Sequence, residues 1–320
     1  MSYGNRPPMQ HHSTRRPLDP RVYRRRRIAA LVLVLVLLLG GYALVSAVAG
    51  GSTKGSAAPA VASTSTVVHD GTTPTTLQPT TTTALQPKPR TTPTQANPAE
   101  LLIFGDSDAG AFGPYLKQLM DQTGIVSTKL DYKTSSGLAR PDFFDWPVHM
   151  HQVLPAVNPD IVVVTFGGND AQALRNVDRS WAVAHEPGKG HNDADWKAEY
   201  ATRVGGVMDY LGGDNRTLIW VGIPNAASDA TTARLKVQDD VVRAEAAKRP
   251  KKVVYIDTWN RFVGRNGGYG EYVIDPRDGV GKAVRSKVDG FHLNVTGAEI
   301  LALDIAEAVR NDLRSRGAKL

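Results

Sequence analysis

The sequence predicts an α/β domain, a three-layer sandwich around a mostly parallel five-stranded sheet, preceded by a hydrophobic span and a polar linker. Three observations predict it. Short apolar runs at 101–104, 161–166, 218–221 and 253–256, with a weaker strand at 125–130, alternate with helix-like stretches. Strands separated by helical crossovers return parallel, and helices then cover both sheet faces. The runs are continuously apolar rather than alternating, as strands buried on both faces require. Finally, an uncharged 23-residue run and a Thr/Pro-rich stretch stand between the N-terminus and residue 98.

Residues 1–27 form a basic tail. Residues 1–50 carry eight Arg against Asp19, a charge of +7; residues 51–97 add +2, and 98–320 carry −2. The basic character therefore belongs to the tail, and nothing in the charge of the folded part points to nucleic acid. No cysteine is present, which excludes disulfides and thiolate metal sites.

Residues 28–50 would span roughly 35 Å as a helix, enough for a hydrocarbon core of about 30 Å. The arginines before it keep the N-terminus cytoplasmic and send the rest outside. Ala47-Val48-Ala49 resembles a cleavage site, so secretion after signal cleavage is the competing reading. The run exceeds the usual apolar region of about 7–15 residues, so a retained single-pass anchor in the cell membrane is expected. Residues 51–97, rich in Thr, Ser, Pro and Ala, have little apolar surface to bury and read as a disordered linker.

Within 98–320, helices are expected at 111–122, 146–157, 194–211, 231–248 and 295–316. The last shows helical spacing in Ile300, Leu301, Leu303, Ile305 and Val309, with Thr296 and Glu299 near its start. The Gly- and Pro-containing stretches 178–195 and 264–287 read as surface loops.

Four polar blocks stand at or near predicted strand ends: Gly105-Asp106-Ser107, Ser135-Ser136-Gly137-Leu138, Gly167-Gly168-Asn169-Asp170 and Asp289-Gly290-Phe291-His292. In a parallel sheet such ends converge on one edge. Ser107 is a nucleophile only if a base takes its proton. His292 can be that base, and Asp289, three residues earlier, can hold its other ring nitrogen. The N–H groups of Ser107 and Gly137 and the Asn169 amide could receive an oxyanion. Each block alone is ordinary turn chemistry; the ordered set of four is what points to acyl transfer through serine.

With these blocks the chain resembles the SGNH (GDSL-type) hydrolases, over most of residues 100–314. The strings from Ser136 to Pro147 and Asp257-Thr258-Trp259 resemble an uncharacterised exported bacterial branch. The resemblance implies a flavodoxin-like fold, no metal, no organic cofactor, a Ser107–His292–Asp289 triad and an oxyanion hole at Ser107, Gly137 and Asn169. One departure is Asp108, where the family has an aliphatic residue: a carboxylate there would favour a protonated imidazole or disfavour anionic substrates. Arg140 and Trp146 are further candidates for substrate contact.

Other motifs carry less. His149 and His151 point to different helix faces, His185 and His191 sit in a loop, and an Asp106/Asp108 calcium loop has Lys117 where Glu is needed. The expected function is a membrane-anchored serine esterase acting on O-acyl groups, acetyl or short acyl, of envelope glycans or glycolipids. An O-acyltransferase using the same triad and a non-catalytic envelope-binding protein are the alternatives.

Overall fold

The computed structural model describes residues 87–320. The basic tail, the 28–50 span and most of the 51–97 linker lie outside the described residues. Among the described residues no helix is long and apolar enough to cross a membrane.

The strands β1 (Ala99–Gly105), β2 (Val126–Tyr132), β3 (Ile161–Thr165), β6 (Thr217–Val221) and β7 (Val253–Ile256) form one sheet in the order β2-β1-β3-β6-β7. Every pairing is parallel, with Leu101 opposite both Thr128 and Ile161. The five expected strands are therefore present, and the weak one at 125–130 pairs fully with β1.

Alternate residues of each strand feed opposite cores. Leu102, Phe104, Val162, Val164, Leu218 and Trp220 pack with α2 (Trp146–Val157), α3 (Ala194–Leu211) and α4 (Asp229–Ala247). Leu101, Ile103, Ile161, Val163, Ile219 and Val221 pack with α1 (Ser107–Asp121) and α6 (Val295–Ser315). The helix caps are local: Asp106 accepts from Asp108 N, Asp145 from Val148 N, Ser228 from Thr231 N and Asn294 from Gly297 N.

Three stretches differ from expectation. The loop around 178–195 contains part of a hairpin of β4 (Leu174–Arg175) and β5 (Trp181–Val183), where Arg175 stacks 3.5 Å from the Trp181 ring. The 264–287 loop carries a second hairpin, β8 (Tyr272–Ile274) with β9 (Gly281–Ala283), after the short α5 (Thr258–Arg261). The end of the linker is also fastened down. Lys88 Nζ reaches Asp160 at 2.8 Å, Arg90 Nη2 reaches Asp312 at 2.6 Å, and Thr92 Oγ1 donates to Arg316 O. Asp160 and Asp312 in turn hold Arg316, whose side chain is 1% exposed. These polar ties bind residues 88–92 to the domain without an apolar pattern that sequence could reveal.

Candidate active site

The carboxyl ends of β1 and β3 meet at Gly105. Its φ is +150°, and a Cβ there would lie 2.4 Å from Thr165 O. Only glycine lets the chain leave β1 this close to β3 and start α1 at once. That turn puts Ser107 at the first helical position, where its own N–H has no intrahelical acceptor.

Ser107 Oγ lies 3.0 Å from His292 Nε2. His292 Nδ1 lies 2.8 Å from Asp289 Oδ2, while Asp289 Oδ1 accepts from the N–H groups of Phe291 and His292. Burial works against a charge on Asp289, but those bonds and the imidazole outweigh it and hold the carboxyl below the usual range. His292 and Asp289 are about 40% exposed, so the pair opens to solvent.

Gly137 stands against Asp170. A Cβ at 137 would fall 2.0 Å from Asp170 Oδ1. The Asp170 carboxylate accepts from Leu138 N (2.9 Å), Ala139 N (2.8 Å) and the Tyr200 hydroxyl (2.8 Å). Burial raises its pKa to about 6, against the pull of those three donors. Gln238, buried on α4, donates to Phe166 O and Gly167 O and so fixes the chain leading to Asn169.

Asp106 joins the blocks. Its Oδ1 accepts from Asp108 N, and its Oδ2 from Gly167 N (2.8 Å) and Asn169 Nδ2 (3.1 Å). One carboxyl thus orients the start of α1 and the Asn169 amide together. Burial, reinforced by the charge of Asp108, lifts its pKa well above the carboxylate range.

Sequence reasoning missed the roles of Asp106, Asp170 and Gln238. Asp106 was the findable one, because Asp directly before a helix start is a preferred N-cap. Asp170 and Gln238 work on residues 31 to 72 positions away, which no local pattern records.

The three residues expected to touch substrate are placed otherwise. Trp146 is fully buried at the start of α2 and its Nε1 donates to Ser136 Oγ, so it is a strut under the Gly137 loop. Arg140 makes a two-point pair with Asp142, at 2.8 and 2.9 Å, which occupies its planar fork. Asp108 sends Oδ2 inward, where it is buried and has no hydrogen-bond partner among the described residues. Of the remaining histidines, His149 meets Asp131, His151 stacks on Tyr210, and His185 meets Asp195.

The four blocks are thus assembled at one edge of the sheet. A family profile described as "Protein of unknown function (DUF459)" matches residues 100–308. The chain belongs to the DUF459 family. No curated protein matches it.

Among solved structures, the chain is similar to LAE5, an α/β hydrolase enzyme from the metagenome of Lake Arreo, Spain. The identity is 16% and the TM-score 0.45, covering 66% of this chain and 95% of that one. The acetylxylan esterase Axe2 from Geobacillus stearothermophilus is similar at 15% identity and TM-score 0.46, covering 66% and 94%. A GDSL-like lipase from Bacteroides thetaiotaomicron is similar at 13% identity and TM-score 0.45, covering 67% and 88%.

Proposed function

We propose that this DUF459 protein is a serine esterase of the SGNH type, exported and held at the cell membrane by residues 28–50. Its substrates are O-acyl esters, acetyl or another short acyl, on cell-envelope glycans or glycolipids. The observation that carries the reading is the continuous chain Ser107 Oγ–His292 Nε2–His292 Nδ1–Asp289 Oδ2, at 3.0 and 2.8 Å.

Ser107 Oγ attacks the ester carbonyl while its proton passes to His292 Nε2. Asp289 holds the Nδ1–H tautomer and balances the imidazolium charge. The tetrahedral oxyanion takes hydrogen bonds from the Ser107 and Gly137 N–H groups and from the Asn169 amide hydrogen that Asp106 leaves free. Collapse expels the alcohol, protonated by His292, and leaves an acyl-serine. Water, giving one proton to His292, attacks the acyl-serine; His292 returns that proton to Ser107 Oγ as the C–O bond breaks, and the carboxylic acid leaves and ionises in solvent. The chemistry uses no metal or organic cofactor.

Two features bear on the substrate. The half-exposed His292 gives water ready access, which favours hydrolysis over transfer of the acyl group to a sugar acceptor. A cleft of about 680 Å³ lies in the 261–281 segment, and its Tyr269, Tyr272, Arg265 and Asn266 offer ring faces and polar groups suited to a sugar. Gly270, which lines it, and Phe291, next to His292 in sequence, are bridged by Arg285.

The full chain in detergent, incubated with p-nitrophenyl acetate, is expected to release acetate, and Ser107→Ala to lose that activity. Equal rates in the two proteins refute the triad. Acetate release from isolated envelope glycan by the wild type alone supports the substrate class; transfer to an added sugar in preference to water favours the acyltransferase.

A further inference from the structure

The two halves of an ester leave the reacting carbon in different directions. His292 protonates the departing alcohol, so the alcohol half lies on the His292 side. The oxyanion lies against the Gly137 N–H, about 3 Å from that nitrogen. The acyl chain starts one bond from the carbon that carries the oxyanion, so it sets out beside the Gly137 loop.

A pocket of about 260 Å³ opens at that loop, lined by Gly137, Leu138, Pro141, Pro147, Val148 and Val177. Polar bonds fix its walls to one another. Asp145 accepts from Val148 N at 3.1 Å, which sets Pro147 and Val148 in the first turn of α2. Arg175 N donates to Ala139 O at 3.0 Å, tying the loop to β4 and so to Val177 just beyond it. Arg203 Nη1, on α3, donates to Leu138 O at 2.8 Å.

The cations at the rim are already engaged. Arg203 also pairs with Glu199 at 2.8 Å, and the fork of Arg140 faces Asp142. What is left to a ligand is mostly aliphatic, with Val148 52% and Val177 65% exposed. A sugar or an anion would lose hydration there for few polar contacts, whereas a hydrocarbon chain needs none.

We propose that this pocket takes the acyl chain of the ester, and that Val148 and Val177 set its length at about four to eight carbons. A methylene needs about the room of a water, roughly 30 Å³, so an acetyl group would leave most of the pocket empty. Resting on the esterase reading, this narrows the substrate to esters of short fatty acids. The sugar half then falls to the 261–281 segment on the His292 side.

The full chain in lipid nanodiscs is assayed on p-nitrophenyl acetate and p-nitrophenyl hexanoate. Burying one methylene is worth roughly fourfold in binding, so four added methylenes have a ceiling of roughly 200-fold. Because the pocket is open to solvent, a rise in kcat/KM of about thirtyfold or more is expected. Val148→Trp and Val177→Trp fill the mouth, and each is expected to cut the hexanoate-to-acetate ratio at least tenfold. Val254→Trp, on the exposed side of β7, is expected to leave that ratio within twofold. Equal kcat/KM for the two esters in the wild type, or a ratio that the pocket variants lower no more than Val254→Trp does, overturns the acyl pocket.

Binding is read apart from catalysis. Millimolar hexanoate, but not acetate, is expected to raise the melting temperature of the wild type, and Val148→Trp to abolish that rise. No rise, with p-nitrophenyl acetate still cleaved, overturns the pocket and leaves the esterase. A rise that Val148→Trp removes, without hydrolysis of either ester, sinks the esterase and leaves a site for an apolar chain.

Discussion

Gly137→Ala is the substitution whose consequence the structure specifies most fully. The added methyl would lie 2.0 Å from Asp170 Oδ1 and 2.7 Å from Asp170 Cγ, both far inside contact distance. Asp170 cannot retreat, because Leu138 N, Ala139 N and the Tyr200 hydroxyl all hold its carboxylate. The loop that carries the Gly137 N–H must move instead. Overpacking of this kind costs about 1–3 kcal/mol of stability. Withdrawing one oxyanion donor costs about 3–4 kcal/mol of transition-state stabilisation, or 10²–10³ in kcat. The assay is p-nitrophenyl acetate hydrolysis, run beside a thermal melt. Gly206→Ala serves as the control: it lies within α3 with nothing inside 4 Å of the new methyl, and should stabilise slightly with unchanged kcat. A Gly137→Ala rate within threefold of wild type would refute the placement of this loop against the oxyanion.

Asp289→Asn keeps the size of the side chain but removes the charge that faces His292 Nδ1, and should lower kcat by about 10² or more with little change in KM. Steady-state kinetics at neutral pH check it, and an unchanged kcat would remove Asp289 from the triad. Asp170 gives a pH signature in stability. Its pKa is raised from 3.8 to about 6, so the folded state holds this proton more tightly than the unfolded state. The resulting stabilisation is complete below about pH 4 and is lost as pH rises through 6. It amounts to about 3 kcal/mol. Asp170→Asn cannot titrate, so its stability relative to wild type should improve by about that amount between pH 4 and 7 in denaturant melts. A constant difference across that range would contradict the burial of an ionisable group there.

The parts that sequence showed are those governed by local chemistry. The strands β3 and β6 are buried on both faces and so read as unbroken apolar runs. The helix starts at Trp146 and Ala194 lie where the composition turns helical directly after an aspartate, of which Asp145 caps its helix. The four polar blocks were legible because a parallel sheet brings its strand ends to one edge. The hairpin of β8 and β9 was not legible. Its strands are three residues long, and Tyr272 and Ile274 face solvent, so no hydrophobic alternation marks a buried face.

The candidate site divides in the same way. Ser107, His292 and Asp289 declare themselves by residue type and spacing. Asp106, Asp170 and Arg285 act through bonds to residues brought near only by the fold, and Arg285 lies in a stretch that reads as loop. Trp146 misled in the opposite direction. An aromatic residue near an oxyanion loop suggests a pocket wall, but Asp145 caps α2 directly before it, and the ring is tucked beneath Ser136. Asp108 looked like a group facing substrate because it adjoins Ser107, whereas the first turn of α1 carries its Oδ2 inward.

The most direct measurement is covalent labelling of the folded full chain with a serine-directed fluorophosphonate, followed by peptide mass spectrometry. The geometry at the sheet edge predicts a single adduct on Ser107, lost in Ser107→Ala and slowed at least a hundredfold in His292→Ala. Absence of an adduct in the wild type, or labelling of Ser107 at the same rate without His292, would contradict a nucleophile activated by that histidine.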